Sequence, residues 1–169
     1  MSIRQTRSMQ RGERRERLLN EIIEWTIDVA KCGSTVNIQP PQPIFSILYE
    51  KTLSKLSLED KNKLLRGIKI DDERIWRSRH MELIFKYQTV DARGEYILNI
   101  SNFFTRNIFA TVKEVKDNLK HVLEIYWNYL KDINDESMMN KVIEWEHKLQ
   151  ESAVSLIEEA TKIKTREIG

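Results

Sequence analysis

Three features of the sequence predict an all-α fold, an elongated antiparallel helical bundle with a long C-terminal helical hairpin. Apolar residues recur at alternating steps of three and four along most of the chain, the spacing of one helix face. Only five Gly and three Pro punctuate the 169 residues. Hydrophobic residues make up 40% and charged residues 32%, too apolar a mixture for disorder and too poor in turn formers for an all-β fold.

The first helix is carried by Leu18, Ile22, Trp25, Val29 and Cys32, with Leu19, Thr26 and Ala30 beside them, over Glu13 to Cys32. Gly33 and Ser34 supply its stop. GSTVNIQPPQP, residues 33–43, predicts an extended connection, because proline removes backbone donors and restricts the residue before it. Its PxxP spacing lacks flanking basic residues, so a rigid linker is the better reading than a docking peptide. Pro43 then opens a short helix with Phe45, Leu48, Tyr49, Thr52 and Leu56 on one face.

Ser57 with Asp60 reads as a capping box for a helix through Leu65 that Gly67 ends. Asp71 or Asp72 caps a longer one, with Trp76, His80, Leu83, Tyr87 and Val90 on its inner stripe. VDARGE, residues 90–95, is the next expected boundary or kink. Val112, Val115, Leu119, Val122, Tyr126, Tyr129 and Ile133 then keep heptad spacing without a miss. Ile97, Ile100 and Phe104 extend that stripe, so one helix is expected from about Glu95 to Lys131. DINDES breaks it. The last helix follows Met138, Val142, Trp145, Leu149, Ala153, Leu156, Ala160 and Ile163, and pairs with its predecessor as a long hairpin.

The chain divides into a basic N-terminal arm, residues 1–17, continuous with the first helix, and one helical-bundle domain over residues 13–167. Residues 1–17 carry six arginines against Glu13 and Glu16, whereas the remainder holds 22 basic and 24 acidic residues. Cations near a helix N-terminus are mildly unfavourable for the helix, so the cluster does not serve helix stability. An external anionic partner accounts for it. If the main helices alternate in direction, the end of the last helix returns Lys162, Lys164 and Arg166 to the same pole. The expected anionic-surface site is therefore Arg4, Arg7, Arg11, Arg14, Arg15, Arg17, Lys162, Lys164 and Arg166.

Catalytic constellations are not apparent. The glycines are too dispersed for a phosphate-cradling loop, and His80, His121 and His147 fall on three different predicted helices. Glu144-Trp145-Glu146-His147 contains one Glu-x-x-His, but a bundle di-iron centre needs two with further inward carboxylates. With Trp145 and Leu149 inward, Glu146 and His147 are expected to face solvent. Cys32 is the single cysteine and lies on a buried seam, which excludes an intramolecular disulfide and suits a reducing compartment. Tyr126, Trp127 and Tyr129 read as core rather than a base-stacking platform, and Met138 and Met139 as gap-filling core. No enzyme activity, metal or cofactor is expected.

No window within these residues is apolar for the ~20 positions a bilayer span needs, and no apolar h-region follows the basic start. The stretches ERLLNEIIEWTIDVAKCG, KYQTVDARGEYI and SLIEEATKIKTREIG resemble the cytosolic part of small uncharacterised prokaryotic proteins. Their usual layout is an N-terminal transmembrane helix, a basic juxtamembrane run and a helical domain, with no activity attached. The likeness spans most of the chain, although this sequence carries no such span. It implies a cytoplasmic scaffold or protein-interaction module at the inner face of a membrane. An anionic membrane surface is the expected partner, and a homodimer is expected because a hairpin outreaching shorter helices leaves apolar surface to cover. A soluble nucleic-acid-associated protein using the arginine arm is the competing reading. It is disfavoured by a pI of about 8.6 and by the absence of aromatics before Trp25.

Overall fold

The structure, a computed structural model, describes residues 2–33, 57–132 and 135–168. The described residues form four helices: α1 Ile3–Gly33, α2 Leu58–Ser101, α3 Arg106–Lys131 and α4 Glu136–Ile168. Among the described residues there is no strand. The prolyl connection and the short helix expected after it lie outside the described residues, as does Ile133.

Neighbouring helices run antiparallel, because partner numbers rise on one helix as they fall on the next. Between α1 and α2, the Trp25 indole donates to the Val90 carbonyl at 2.8 Å, Asp28 pairs with Arg93 at 3.2 Å, and Tyr96 donates to Glu21. Glu95 meets Lys116 and Arg77 donates to the Leu130 carbonyl between α2 and α3. Thr111 and Glu159, then Asn118 and Ser152, tie α3 to α4. Gln150 donates to the Ala30 carbonyl at 2.8 Å, while Lys164 donates to Asn20 at 2.9 Å, closing the ring between α4 and α1. The result is an up-down-up-down bundle of four helices in which each packs on two neighbours.

The seams predicted from spacing form the core. Leu18, Ile22, Trp25, Val29 and Cys32 of α1, Val112, Val115, Leu119, Val122, Tyr126 and Tyr129 of α3, and Val142, Leu149, Ala153, Leu156 and Ala160 of α4 are buried, while Met138, Trp145 and Ile163 of α4 are half-buried against them. His80, Leu83, Tyr87 and Val90 of α2 face them. Burying one such large apolar side chain is worth roughly 1.5–3 kcal/mol, whereas an exposed ion pair is worth about 0–1 kcal/mol. The seams therefore set the architecture.

Helix boundaries differ from expectation at four places. Helix α1 begins at Ile3, ten residues before the predicted face, since Ser2 and Gln5 form a reciprocal capping box (3.0 and 3.4 Å). Helix α2 opens on the predicted Ser57 cap, whose hydroxyl accepts from the Asp60 amide at 3.2 Å, but then runs through Gly67, Asp71 and Asp72 without a stop. VDARGE also stays helical. Gly94 has ordinary helical backbone there and lies under the Lys116 side chain, whose Cγ is 3.4 Å from where a Cβ would stand.

The single helix expected over residues 95–131 is interrupted at residues 102–105. Ile100, Phe104, Ile108 and Val112 are three consecutive steps of four, each rotating an apolar face by about 40° on a straight helix. A continuous helix would carry the seam away from the core. Ser101 and Asn102 divert side chains onto the Leu98 and Asn99 carbonyls (2.6 and 3.3 Å), and the Thr105 hydroxyl accepts from the Ile108 amide at 3.3 Å to restart the helix. The C-terminal hairpin forms, although α3 with 26 residues and α4 with 33 are both shorter than α2 with 44.

Removing the restart cap tests this account of the break. Thr105→Ala is expected to lower stability by about 1 kcal/mol, read as a lower urea midpoint with unchanged slope. An unchanged midpoint would show that the seam alone places the break.

Candidate functional site at the basic pole and a buried carboxyl

One end of the bundle gathers the N-terminal part of α1, the turn at 102–105 and the C-terminus of α4. Arg15 marks where α1 meets the others. Its Nε pairs with Glu167 at 2.7 Å, its Nη1 donates to the Phe103 carbonyl at 3.1 Å, and its guanidinium lies 4.9 Å from the Phe104 ring centroid. One turn of chemistry thus joins α1, the α2–α3 turn and α4. Arg14 beside it stands 5.9 Å from the Phe103 ring centroid.

Beyond this level α1 continues past the other described helices, for about 16 Å from Arg14 to Ile3 at 1.5 Å per residue. Arg4, Arg7, Arg11 and Arg14 fall at steps of three, four and three, in phase with Leu18, Ile22, Trp25, Val29 and Cys32 below. The arginine stripe is therefore the buried seam of α1 prolonged past the end of the bundle, and it looks over the bundle's end. Arg4, Arg7, Arg11, Arg14 and Arg17 are exposed, as are Ile3 (74%) and Met9 (53%). Lys164 bonds to Asn20 near this pole, and Lys162 and Arg166 are exposed on the same last turns of α4. The nine basic residues singled out in the sequence share one end of the molecule, although Arg15 and Lys164 are engaged within the fold.

Sequence spacing missed Phe103. The ring is 59% exposed at the tip of the α2–α3 turn, beside Arg14. No periodicity flags it, because the expected continuous helix hid the turn.

The second polar feature lies in the core. Glu146 was expected outside and is buried instead, accepting from the Tyr87 hydroxyl at 2.8 Å and the Tyr126 hydroxyl at 2.6 Å. Glu146 is four residues past Val142 and three before Leu149, both buried, so it shares their seam. The two tyrosines supplied the missed signal: a buried phenol needs an acceptor, and this carboxyl is the one in reach. His80 adjoins them, its ring 6.1 Å from that of Tyr126 and 6.2 Å from that of Tyr129. Burial raises the Glu146 carboxyl above the usual range, opposed by the hydrogen bonds from Tyr126 and Tyr87. Both phenols are pushed well above their ordinary value, first by burial and then by the nearby carboxyl. Burial likewise raises the Cys32 thiol above its ordinary value, opposed by the charge of Lys86.

His147 is exposed as expected and pairs with Glu151 at 3.2 Å, while Glu144 pairs with Lys148 at 2.9 Å. Trp145 stacks on His121 of α3, with centroids 4.6 Å apart. A shallow, open depression beside Glu146 is lined by Ile143, Glu144, Glu146, His147 and Gln150. Among the described residues no group of three or more His, Cys, Asp and Glu is placed to hold a metal ion. Chemically, the carboxyl and its two phenols form a clasp joining α2, α3 and α4.

Fold and site together define an all-α helical bundle, with four helices among the described residues and a cationic pole. No known protein family, curated protein or solved structure matches the chain. No described helix is long and apolar enough to cross a membrane.

Two measurements check these assignments. Arg15→Ala is expected to lower Tm by about 2–4 °C, corresponding to about 1 kcal/mol, whereas Arg4→Ala and Arg7→Ala leave Tm unchanged. Because folding raises the Glu146 pKa, its contribution is fully present below the unfolded value and fades as pH rises through the folded one. Urea titrations should therefore show wild type losing stability relative to Glu146→Gln across that window. A pH-independent difference would remove the ionisation argument.

Proposed function

We propose that the protein is a non-catalytic helical scaffold whose basic pole faces anionic lipid on the cytosolic side of a membrane. The observation that carries the reading is the projection of α1 past its neighbours, with Arg4, Arg7, Arg11 and Arg17 exposed and Ile3 and Met9 available at the same tip. Each basic residue near an anionic leaflet contributes roughly 1 kcal/mol, and salt screens this attraction beyond about 8–10 Å. Lys162 and Arg166 add to the same field from α4. The resemblance to proteins with a basic juxtamembrane run supports the orientation, with the N-terminal end of α1 toward the lipid.

The scaffold half of the reading rests on how the polar core groups are used. Glu146 and its tyrosines satisfy one another across three helices, and the depression beside them is open and shallow. Such a clasp fixes helix register in place of turning over a substrate.

Sedimentation with phosphatidylserine-containing vesicles is the direct test. The protein is expected to pellet with them and not with pure phosphatidylcholine, to be released by raised salt, and to lose most binding when Arg4, Arg7 and Arg11 are replaced by Ala. Retention on duplex DNA with no retention on vesicles would replace this reading with nucleic-acid association. Absence of both would leave the bundle without an anionic partner.

A further inference from the structure

The arginine stripe does not point outward. It continues the seam that faces the bundle axis, so beyond Arg14 it forms a wall standing about 16 Å above the bundle's end. Phe103 and the last turn of α4 form the floor. A flat surface resting on the tip of α1 and the rim of the bundle bridges this notch without reaching Phe103. A helix standing on this floor alongside α1 covers the ~16 Å wall in about three turns.

We propose that this notch seats an acidic helical segment of a partner protein. Charge complementarity selects the partner: Arg7, Arg11 and Arg14 present three guanidinium groups at helical steps, spaced to meet carboxylates at the same steps on a helix lying alongside α1. Arginine suits the position because its aliphatic stem packs on apolar surface while its planar head pairs bidentately with carboxylate. The exposed Phe103 ring offers the apolar contact next to Arg14. Arg15 is excluded from the contact, since Glu167 and the Phe103 carbonyl already hold it. The seat thus extends the packing rule of the bundle by one more helix, with guanidinium groups where apolar side chains stand lower down. It shares Arg7 and Arg11 with the proposed lipid contact, so the two contacts compete for those side chains, and Phe103 belongs to the helix seat alone.

A fluorescein-labelled, alanine-rich helical peptide carrying Glu at steps of three and four with one Leu beside them is the probe, titrated against the full chain by anisotropy. A peptide of the same composition with the Glu positions scrambled is the control. The patterned peptide is expected to bind and the scrambled one to bind at least about five-fold more weakly, a difference near 1 kcal/mol. Arg11→Ala and Phe103→Ala should each weaken the patterned peptide by about five-fold or more. Both positions are exposed, so an unchanged circular dichroism spectrum is expected for each variant. Phe103→Ala should leave vesicle sedimentation unchanged. Equal binding of the two peptides, or a Phe103→Ala variant that binds the peptide like wild type, would overturn the seat and leave only diffuse charge attraction. Loss of vesicle binding in Phe103→Ala would also overturn it by assigning the turn to the lipid contact. Failure of the unmodified protein to bind vesicles overturns the lipid reading alone, because the peptide titration contains no lipid.

Discussion

Burial of four apolar seams against one another is the constraint on which the remaining structure depends. Each seam repeats at steps of three and four, so straight helices can keep it facing the axis only over a limited length. Where the repeat slips, the chain must break, as it does between Ile100 and Val112. Where the repeat persists but its chemistry changes, as between Leu18 and Arg14 on α1, the helix continues and the bundle ends. The basic pole is therefore a consequence of the core's own geometry. It is the same helix face, met by neighbours below and by none of the four described helices above.

The polar contents of the core follow the opposite logic. Three helices bring Tyr87, Tyr126 and Glu146 together because each sits in phase with a seam, and once buried both phenols donate to the one carboxyl. The carboxyl resists ionisation through burial, while the two phenols favour the ionised form. A cluster of this kind contributes less to stability than the surrounding apolar side chains, yet it penalises any register that separates its members. The ties between α4 and α1 are of a lighter sort, made by long polar side chains at Gln150, Lys164 and Glu167. Arg15 is the exception, because it binds a carboxylate, a carbonyl and an aromatic face together at the level where the bundle ends.

This places two kinds of arginine within a few residues of each other. Arg15 belongs to the fold. Arg4, Arg7 and Arg11 are exposed, which leaves their charge available to an outside surface. The projecting helix and the exposed Phe103 make that surface two-walled, and its shape distinguishes partners that charge alone would treat alike.

Sequence spacing by itself determined the helical class, the antiparallel pairing and nearly all of the buried seams, because the period of apolar residues is a local property that each helix carries alone. The basic residues and their gathering at one pole were legible for the same reason, through helix count and charge. Tertiary structure decided what spacing leaves degenerate. Glu146 and His147 are adjacent on α4, and only the tyrosines of α2 and α3 determine that the first turns inward and the second does not. The break at residues 102–105 likewise depends on the position of the core, toward which both α2 and α3 must aim. The direction of the arginine stripe was decided there too, since a helix face has no inside or outside until other helices cover part of it.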